Sequence, residues 1–193
     1  MSRTITVLGL LAASTALAGG AVSYASAGTT TGAATSVQSA RQAPTAHLDL
    51  TPSSAALADC FPHAWAQVKV KLTTDQIGKD TFQIRASGLQ PRTDFTVFLI
   101  EKAGAPFGAA EYIGDFTTNK YGSAVNSFSL IVEEAFAFNN ETQVRKELNS
   151  VGFWFADPKG DDGCLGVDSP VTQFDGDAEA GVQMMNSGAG LLP

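Results

Sequence analysis

The sequence predicts an all-β protein, an immunoglobulin-like β-sandwich with one short crossover helix. Apolar residues beyond residue 55 recur mainly with a period of two, as in strands that have one wet face. Turn-forming stretches such as "SGLQP" and "NKYG" separate these short runs. Two cysteines, Cys60 and Cys164, flank the strand-rich region. A Greek-key β-barrel is the alternative architecture for the same set of strands.

Residues 1–27 are predicted to be a signal peptide. Arg3 gives a short positive start, a long apolar run follows, and Ala25, Ser26 and Ala27 form a small-x-small cleavage site. An uncleaved anchor is the rival interpretation, but Gly, Ala, Ser and Thr dilute the apolar run. We therefore expect a secreted, extracellular protein with no membrane span after cleavage.

Residues 28–54 are predicted to be a flexible leader. Their composition is mostly Thr, Ala, Ser, Gly, Gln and Pro, which offers little apolar surface to offset the entropy of ordering the chain. A single folded domain is expected over residues 55–193.

The strand candidates follow in chain order. "WAQVKVKL" and "TFQIRA" alternate apolar and polar side chains, whereas "DFTVFLIE" is apolar on both faces, as in a central strand. "YIGDFTTNKYGSAVNSFSLIV" predicts two strands joined by a turn, and "VGFWFAD" predicts another. "SPVTQF" and "AGVQMM" are weaker candidates near the C-terminus.

One stretch, "NNETQVRKELNS", predicts the crossover helix. Asn140 is a suitable N-cap, Gln143 lies three residues later, and Val144 and Leu148 have i, i+4 spacing.

The two cysteines are predicted to form a disulfide, because an exported chain folds in an oxidising compartment. The bond would close a loop of about 100 residues and contribute up to about 4.7 kcal/mol in the chain-entropy model. The alternative, a nucleophilic Cys164, needs a nearby base. The two histidines are His47, in the predicted leader, and His63, which is expected to form hydrogen bonds near the disulfide.

Two acidic loops raise the question of calcium. "ADPKGDDGCLGVDSP" and "DGDAEAG" both fail the EF-hand pattern, but a joint site of another kind would suit the loose oxygen coordination of Ca²⁺. The competing interpretation is that Asp and Gly simply form surface turns. The candidate ligands are Asp157, Asp161, Asp162, Asp175 and Asp177.

Charge and motif content exclude several function classes. A formal net charge of −7 argues against nucleic acid and anionic lipid as partners. Two histidines are too few for the metal cluster of copper-zinc superoxide dismutase, which shares the sandwich class. The chain also lacks the sequence signatures of hydrolase elbows, zincins and nucleotide-binding loops.

Two kinds of candidate site remain open. Paired carboxylates would suit a glycoside hydrolase, and the candidates are Glu111, Asp115, Glu133 and Glu134. Exposed aromatic side chains would suit a carbohydrate-binding platform. The candidates facing a ligand are Tyr112, Tyr121 and Trp154, and Trp65 is a further candidate for the platform. The alternative for the two tryptophans is packing in or beside the core near the disulfide.

The segments "GLQPRTDFTVFLI", "YIGDFTTNKYGS" and "VGFWFADP", with the cysteine loop and "FDGDAEAGVQ", resemble uncharacterised exported bacterial proteins, often actinobacterial, that have a predicted immunoglobulin-like sandwich. The resemblance spans roughly residues 60–187 and implies a fold and an export route, but no catalytic residues. We expect an exported, non-enzymatic binding or structural module at the cell surface or in the medium, with an extracellular protein or carbohydrate as partner. The alternative is a secreted carbohydrate-active hydrolase that uses paired carboxylates.

Overall fold

A computed structural model describes residues 45–131, 136–138, 144–175 and 178–188, all within one compact unit, Arg41–Pro193. The described residues form mainly β-strands and include three short helices, so the predicted all-β class is confirmed. The predicted signal peptide, residues 1–27, lies outside the described residues.

The elements follow one another along the chain with mostly short connections. They are β1 (Thr45–Pro52), α1 (Ala55–Cys60), β2 (Trp65–Lys71), α2 (Thr74–Ile77), β3 (Asp80–Ser87), β4 (Asp94–Ile100), β5 (Ala110–Thr117), β6 (Ala124–Leu130), β7 (Phe136–Phe138), β8 (Arg145–Glu147), β9 (Ser150–Phe155), α3 (Asp162–Leu165), β10 (Thr172–Asp175), β11 (Ala178–Ala180) and β12 (Gln183–Asn186). The strands predicted near the C-terminus correspond to β10 and β12.

Eight strands form one antiparallel sheet in the order β5-β4-β9-β12-β1-β2-β3-β6. The sheet has two four-strand halves, which meet where Thr51 and Pro52 of β1 pair with β12. The three successive strands β4, β5 and β6 are preceded by β3, which pairs with β6, and β6 also contacts β5, so the spatial order β3, β6, β5, β4 resembles a Greek key. The sheet is nearly barrel-shaped, which corresponds to the alternative architecture left open by the sequence.

The two edge strands of this sheet, β5 and β6, meet through side chains. The Asn126 amide donates a hydrogen bond to the backbone carbonyl of Asp115, 2.9 Å away. The Phe128 ring lies against Gly114, whose φ is +152°, and any Cβ at that glycine would collide with the ring. A glycine is therefore required where β6 approaches β5.

One apolar core draws on both halves of the sheet. Alternating residues of the strands point into it, and aromatic rings fill its centre: Phe95 stacks on Phe116 at 5.4 Å and meets the edge of Phe153 at 5.9 Å. The inward sets are Ala66, Val68 and Val70 on β2, Phe82, Ile84 and Ala86 on β3, Phe95, Val97 and Leu99 on β4, and Val151, Phe153 and Phe155 on β9.

The predicted disulfide is confirmed. Cys60 at the end of α1 bonds to Cys164 in α3, with a sequence separation of 104. The Ser54 side chain caps α1 by accepting a hydrogen bond from the amide of Leu57, at 3.3 Å. The disulfide therefore ties α1 to α3, although its two cysteines are 104 positions apart in the sequence.

The predicted flexible leader, residues 28–54, is wrong over its C-terminal part. Thr45–Pro52 form β1, which lies inside the sheet between β12 and β2. Leu48 and Leu50 are buried in the core and alternate with exposed polar residues, so this strand does bury apolar surface. Residues 28–44 lie outside the described residues.

The predicted crossover helix is wrong in its C-terminal half. Arg145–Glu147 form β8, which pairs with β7, and Leu148 is buried in the main core while Val144 is exposed. Tertiary pairing has overridden the local helical pattern. Asn140 and Gln143 lie outside the described residues, and the described helices α1, α2 and α3 occur elsewhere.

Candidate ligand-binding face

The outer side of strands β1, β2, β3 and β6 is a flat surface of polar side chains, which we call the polar face. Because successive side chains of a strand point to opposite sides, the residues that alternate with the core set lie here. They are Thr45, His47 and Asp49 on β1, Trp65, Gln67, Lys69 and Lys71 on β2, Thr81, Gln83, Arg85 and Ser87 on β3, and Val125, Ser127 and Ser129 on β6.

The register of the ladders fixes the neighbours on this face. Lys69 lies between His47 and Gln83, and the next row places Gln67 opposite Arg85. Directly opposite residues have Cβ atoms about 4.5–5.5 Å apart, and diagonal neighbours such as Lys69 and Arg85 lie about 7–8 Å apart. The strand pairing therefore places these polar and charged side chains next to one another.

Two depressions in the polar face adjoin each other at Arg85. The first, of about 220 Å³, is polar and is lined by His47, Gln67, Lys69, Gln83 and Arg85. The second, of about 450 Å³, extends to the turn between β5 and β6; its lining includes Trp65, Arg85, Ser87, Asn119, Ser123 and Val125. They share Arg85 as a lining residue, and we refer to the two neighbouring depressions together as the trough; it has Trp65 at one end and amide and amino groups at the other.

The charge of the polar face differs in sign from that of the whole chain. It carries Lys69, Lys71 and Arg85 against one carboxylate, Asp49, whereas the chain has a formal net charge of −7. Asp49 already accepts a hydrogen bond from the Gln67 amide at 3.1 Å. Within the part of the chain that the structure describes, none of the three basic side chains forms an ion pair.

The two tryptophans have opposite environments. Trp65 is 51% exposed on the polar face, whereas Trp154 is fully buried at 0%. Phe98 and Phe107 pack edge-on against the Trp154 ring, with centroids 5.4 and 5.0 Å away, on the side of β9 that faces away from the main core. The prediction that Trp154 faces a ligand is therefore wrong, because the connection between β4 and β5 covers it.

The two tyrosine candidates are exposed, but they lie outside the four strands of the polar face. Tyr112, 56% exposed, is on β5, and its hydroxyl donates to Asp115 Oδ2 at 2.7 Å. That hydrogen bond, assisted by partial burial and by the charge of Asp115, raises the pKa of Tyr112. Tyr121, 73% exposed, lies in the turn between β5 and β6, where the Lys120 ammonium sits 4.8 Å from its ring centroid. Neither tyrosine lies with Trp65 on the polar face.

The acidic loop before Cys164 contains a buried structural carboxylate. Asp161 is 0% exposed; its Oδ1 accepts from the Ser169 hydroxyl at 2.5 Å and its Oδ2 accepts from the Val182 amide at 2.8 Å. Asp157 instead accepts from the amide of Lys159 in a local turn, at 2.9 Å. Oδ1 of Asp161 thus fixes the chain that follows α3, and Oδ2 joins the start of α3 to the connection between β11 and β12.

The described residues form no cluster of ligands that would support the calcium hypothesis. Among the described residues, no group of three or more His, Cys, Asp or Glu side chains is placed to hold a metal ion. Asp162 is the first residue of α3, while the side chain of Asp175 and all of Asp177 lie outside what the structure describes. Calcium binding by the two loops stays a prediction, which is tested by comparing the melting temperature in millimolar Ca²⁺ and in chelator.

The candidate catalytic carboxylates are only partly described. Glu111 and Asp115 are exposed on β5, where Asp115 is engaged by Tyr112. Glu133 and Glu134 lie outside the described residues. The hydrolase alternative therefore stays a prediction.

Another cleft, of about 570 Å³, lies near the disulfide and has a mostly apolar lining. Among the described residues, no charged side chain lines this cleft to orient a polar ligand, so we assign the candidate site to the trough on the polar face. The apolar lining includes Leu57, Phe107, Leu165, Val171 and Val182.

No protein-family model matches the chain, and no curated protein is significantly similar to it in sequence. None of the helices in the described segments is long and apolar enough to cross a membrane.

Proposed function

We propose that the protein is an exported, non-enzymatic binding module that holds a carbohydrate on its polar face. The observation that carries the proposal is the pair of neighbouring depressions, in which Trp65 lies at one end and Arg85 lines both. The predicted signal peptide supports export, and the disulfide is compatible with an oxidising compartment.

The side chains of the trough match the chemistry of a sugar. The apolar C–H face of a pyranose ring stacks on a flat aromatic surface, which the half-exposed Trp65 provides. Sugar hydroxyls both donate and accept hydrogen bonds, and the amides of Gln67 and Gln83 offer both functions. Asn119 and Ser123 add further polar groups beside Trp65.

The dimensions of the face suit an oligosaccharide better than a single sugar. Four strands are about 14 Å wide, and the seven residues of β2 extend over about 20 Å. An open trough of this length leaves both ends of a polymer free. We therefore expect internal segments of a polysaccharide to bind, and no cleavage to follow.

The proposal is tested by screening the mature protein on a glycan array and measuring affinity for the glycans retained. Trp65→Ala should weaken binding by about tenfold or more, which corresponds to about 1.4 kcal/mol. Tyr112→Ala is the matched control, because it removes a similarly exposed aromatic ring from β5 and should leave affinity unchanged. Undiminished binding by the Trp65 variant, or retention of no glycan, would overturn the proposal.

A further inference from the structure

We infer that the bound carbohydrate is acidic, a polysaccharide whose carboxylate groups pair with Arg85 and Lys69. The inference rests on the proposed function and specifies the ligand class of the same trough. Its basis is the local charge: three basic side chains and one carboxylate leave an excess of 3 − 1 = 2 positive charges on the polar face, in a chain of net charge −7.

The basic side chains are available to a ligand. Within the described residues, Lys69, Lys71 and Arg85 have no ion-pair partner, and the one carboxylate on the face is engaged by Gln67. Neutral sugars do not require cations in a binding trough. Asp49 offsets only one of the three positive charges on these adjacent strands, so the remaining repulsion is unfavourable for the free protein, and an anionic ligand would relieve it.

The net negative charge of the chain does not prevent such binding. At physiological ionic strength the Debye length is about 8 Å, so charges further away are largely screened. Lys69 and Arg85 are diagonal neighbours about 7–8 Å apart, and Lys71 lies about 7 Å further along β2. A ligand in the trough therefore experiences mainly the positive groups beneath it.

The order of side chains along the trough suits a polymer of acidic sugars. Following β2 from its start, a ligand in the trough meets Trp65, then the row that contains Arg85, and then Lys69, while Lys71 lies on the same face one row beyond the trough. The indole supports one ring by stacking, the guanidinium binds a carboxylate in bidentate fashion, and the lysines act as point charges for further carboxylates. Only three cations are available, which is few for the dense phosphates of a nucleic acid.

The test uses polygalacturonate, alginate and hyaluronate, each compared with a form of the same polymer whose carboxyl groups have been methyl-esterified. At least one native polymer should bind at least about tenfold more tightly than its ester, and its affinity should fall between about 50 mM and about 200 mM salt. Arg85→Gln and Lys69→Gln should each weaken that binding severalfold without changing the melting temperature. Lys159→Gln is the matched control, since it removes an exposed positive charge from the turn before α3.

The outcomes separate the two proposals. If a native polymer and its ester bind equally and Trp65→Ala weakens both, the carbohydrate-binding function stands and the acidic ligand is refuted. If none of the three native polymers binds while neutral glycans do, the acidic ligand is likewise refuted. If a DNA strand of equal charge binds as tightly as the acidic polymers, the trough is a non-specific cationic surface, and both proposals fail.

Discussion

Replacing Asp161 with alanine is expected to destabilise the fold by about 3 kcal/mol. The carboxylate is 0% exposed and accepts two hydrogen bonds, from the Ser169 hydroxyl and from the Val182 amide. Hydrogen bonds to charged groups contribute about 1.5–3 kcal/mol each, and alanine also leaves the Val182 N–H without its acceptor. The two contributions overlap, so we take about 3 kcal/mol and not their full sum.

Two further variants make the test specific. Asp161→Asn keeps one carbonyl oxygen for the Val182 amide, and the Ser169 hydroxyl can rotate to accept from the new amide group, so we expect a loss of only about 1 kcal/mol. Asp162→Asn changes a neighbouring carboxylate that is not buried and should stay within about 0.5 kcal/mol of the native protein.

The measurement is thermal unfolding followed by calorimetry, with circular dichroism as a second probe. For a domain of about 150 residues, 1 kcal/mol shifts the melting temperature by about 2–4 °C, so Asp161→Ala should melt about 6–12 °C lower. A shift no larger than that of Asp162→Asn would refute the structural role of the buried carboxylate.

Three other changes should alter stability for separate reasons. Replacing both cysteines with alanine should cost up to about 4.7 kcal/mol in denaturant unfolding, because the bond closes a loop with a sequence separation of 104; an unchanged midpoint would contradict this. The amide of Ala109 first, and Lys146 as well, lower the pKa of Glu101 from its ordinary value of 4.5. A lowered pKa gives stability that is present above pH 4.5 and is lost as the pH falls through the pKa that Glu101 has in the folded protein. The native protein should therefore melt higher than Glu101→Gln by the largest margin at neutral pH, and by none in acid. A difference in melting temperature that does not change with pH would contradict the lowered pKa. Gly122→Ala should cost at least about 2 kcal/mol in chemical unfolding, since φ is +72° and a Cβ would collide with the carbonyl oxygen of Leu89; native-like stability would disprove the close approach.

Part of what was missed in the sequence carried a usable signal. In β1, Ala46, Leu48 and Leu50 alternate with polar residues, but the composition of the preceding polar segment masked this short pattern. The alternation of β2 also places Trp65 on the same side as Gln67, which is the wet side. Strict use of the two-residue period would have found the strand and would have identified Trp65, already a candidate, as exposed.

Other features depend on contacts between distant parts of the chain. Trp154 belongs to a strand that is apolar on both faces, and its burial requires cover from Phe107, which is far away in sequence. Likewise, Asp161 is indistinguishable from a surface aspartate until Val182 is brought to it. The helical spacing of Val144 and Leu148 was real, but pairing of β8 with β7 outweighed it. The order of strands in a sheet, and the burial of a side chain by a distant segment, depend on long-range contacts, so a local sequence pattern does not predict them.

The contact between β5 and β6 has a consequence for the behaviour of the protein at high concentration. An open eight-stranded sheet would present two unpaired edges, and such edges recruit strands from other molecules and promote fibril growth. Here two side-chain contacts link the edges: the Phe128 ring packs against Gly114, and the Asn126 amide donates a hydrogen bond to the backbone carbonyl of Asp115. Separation of β5 from β6 without unfolding of the rest would free both edges at once, so we expect these two contacts to limit self-association.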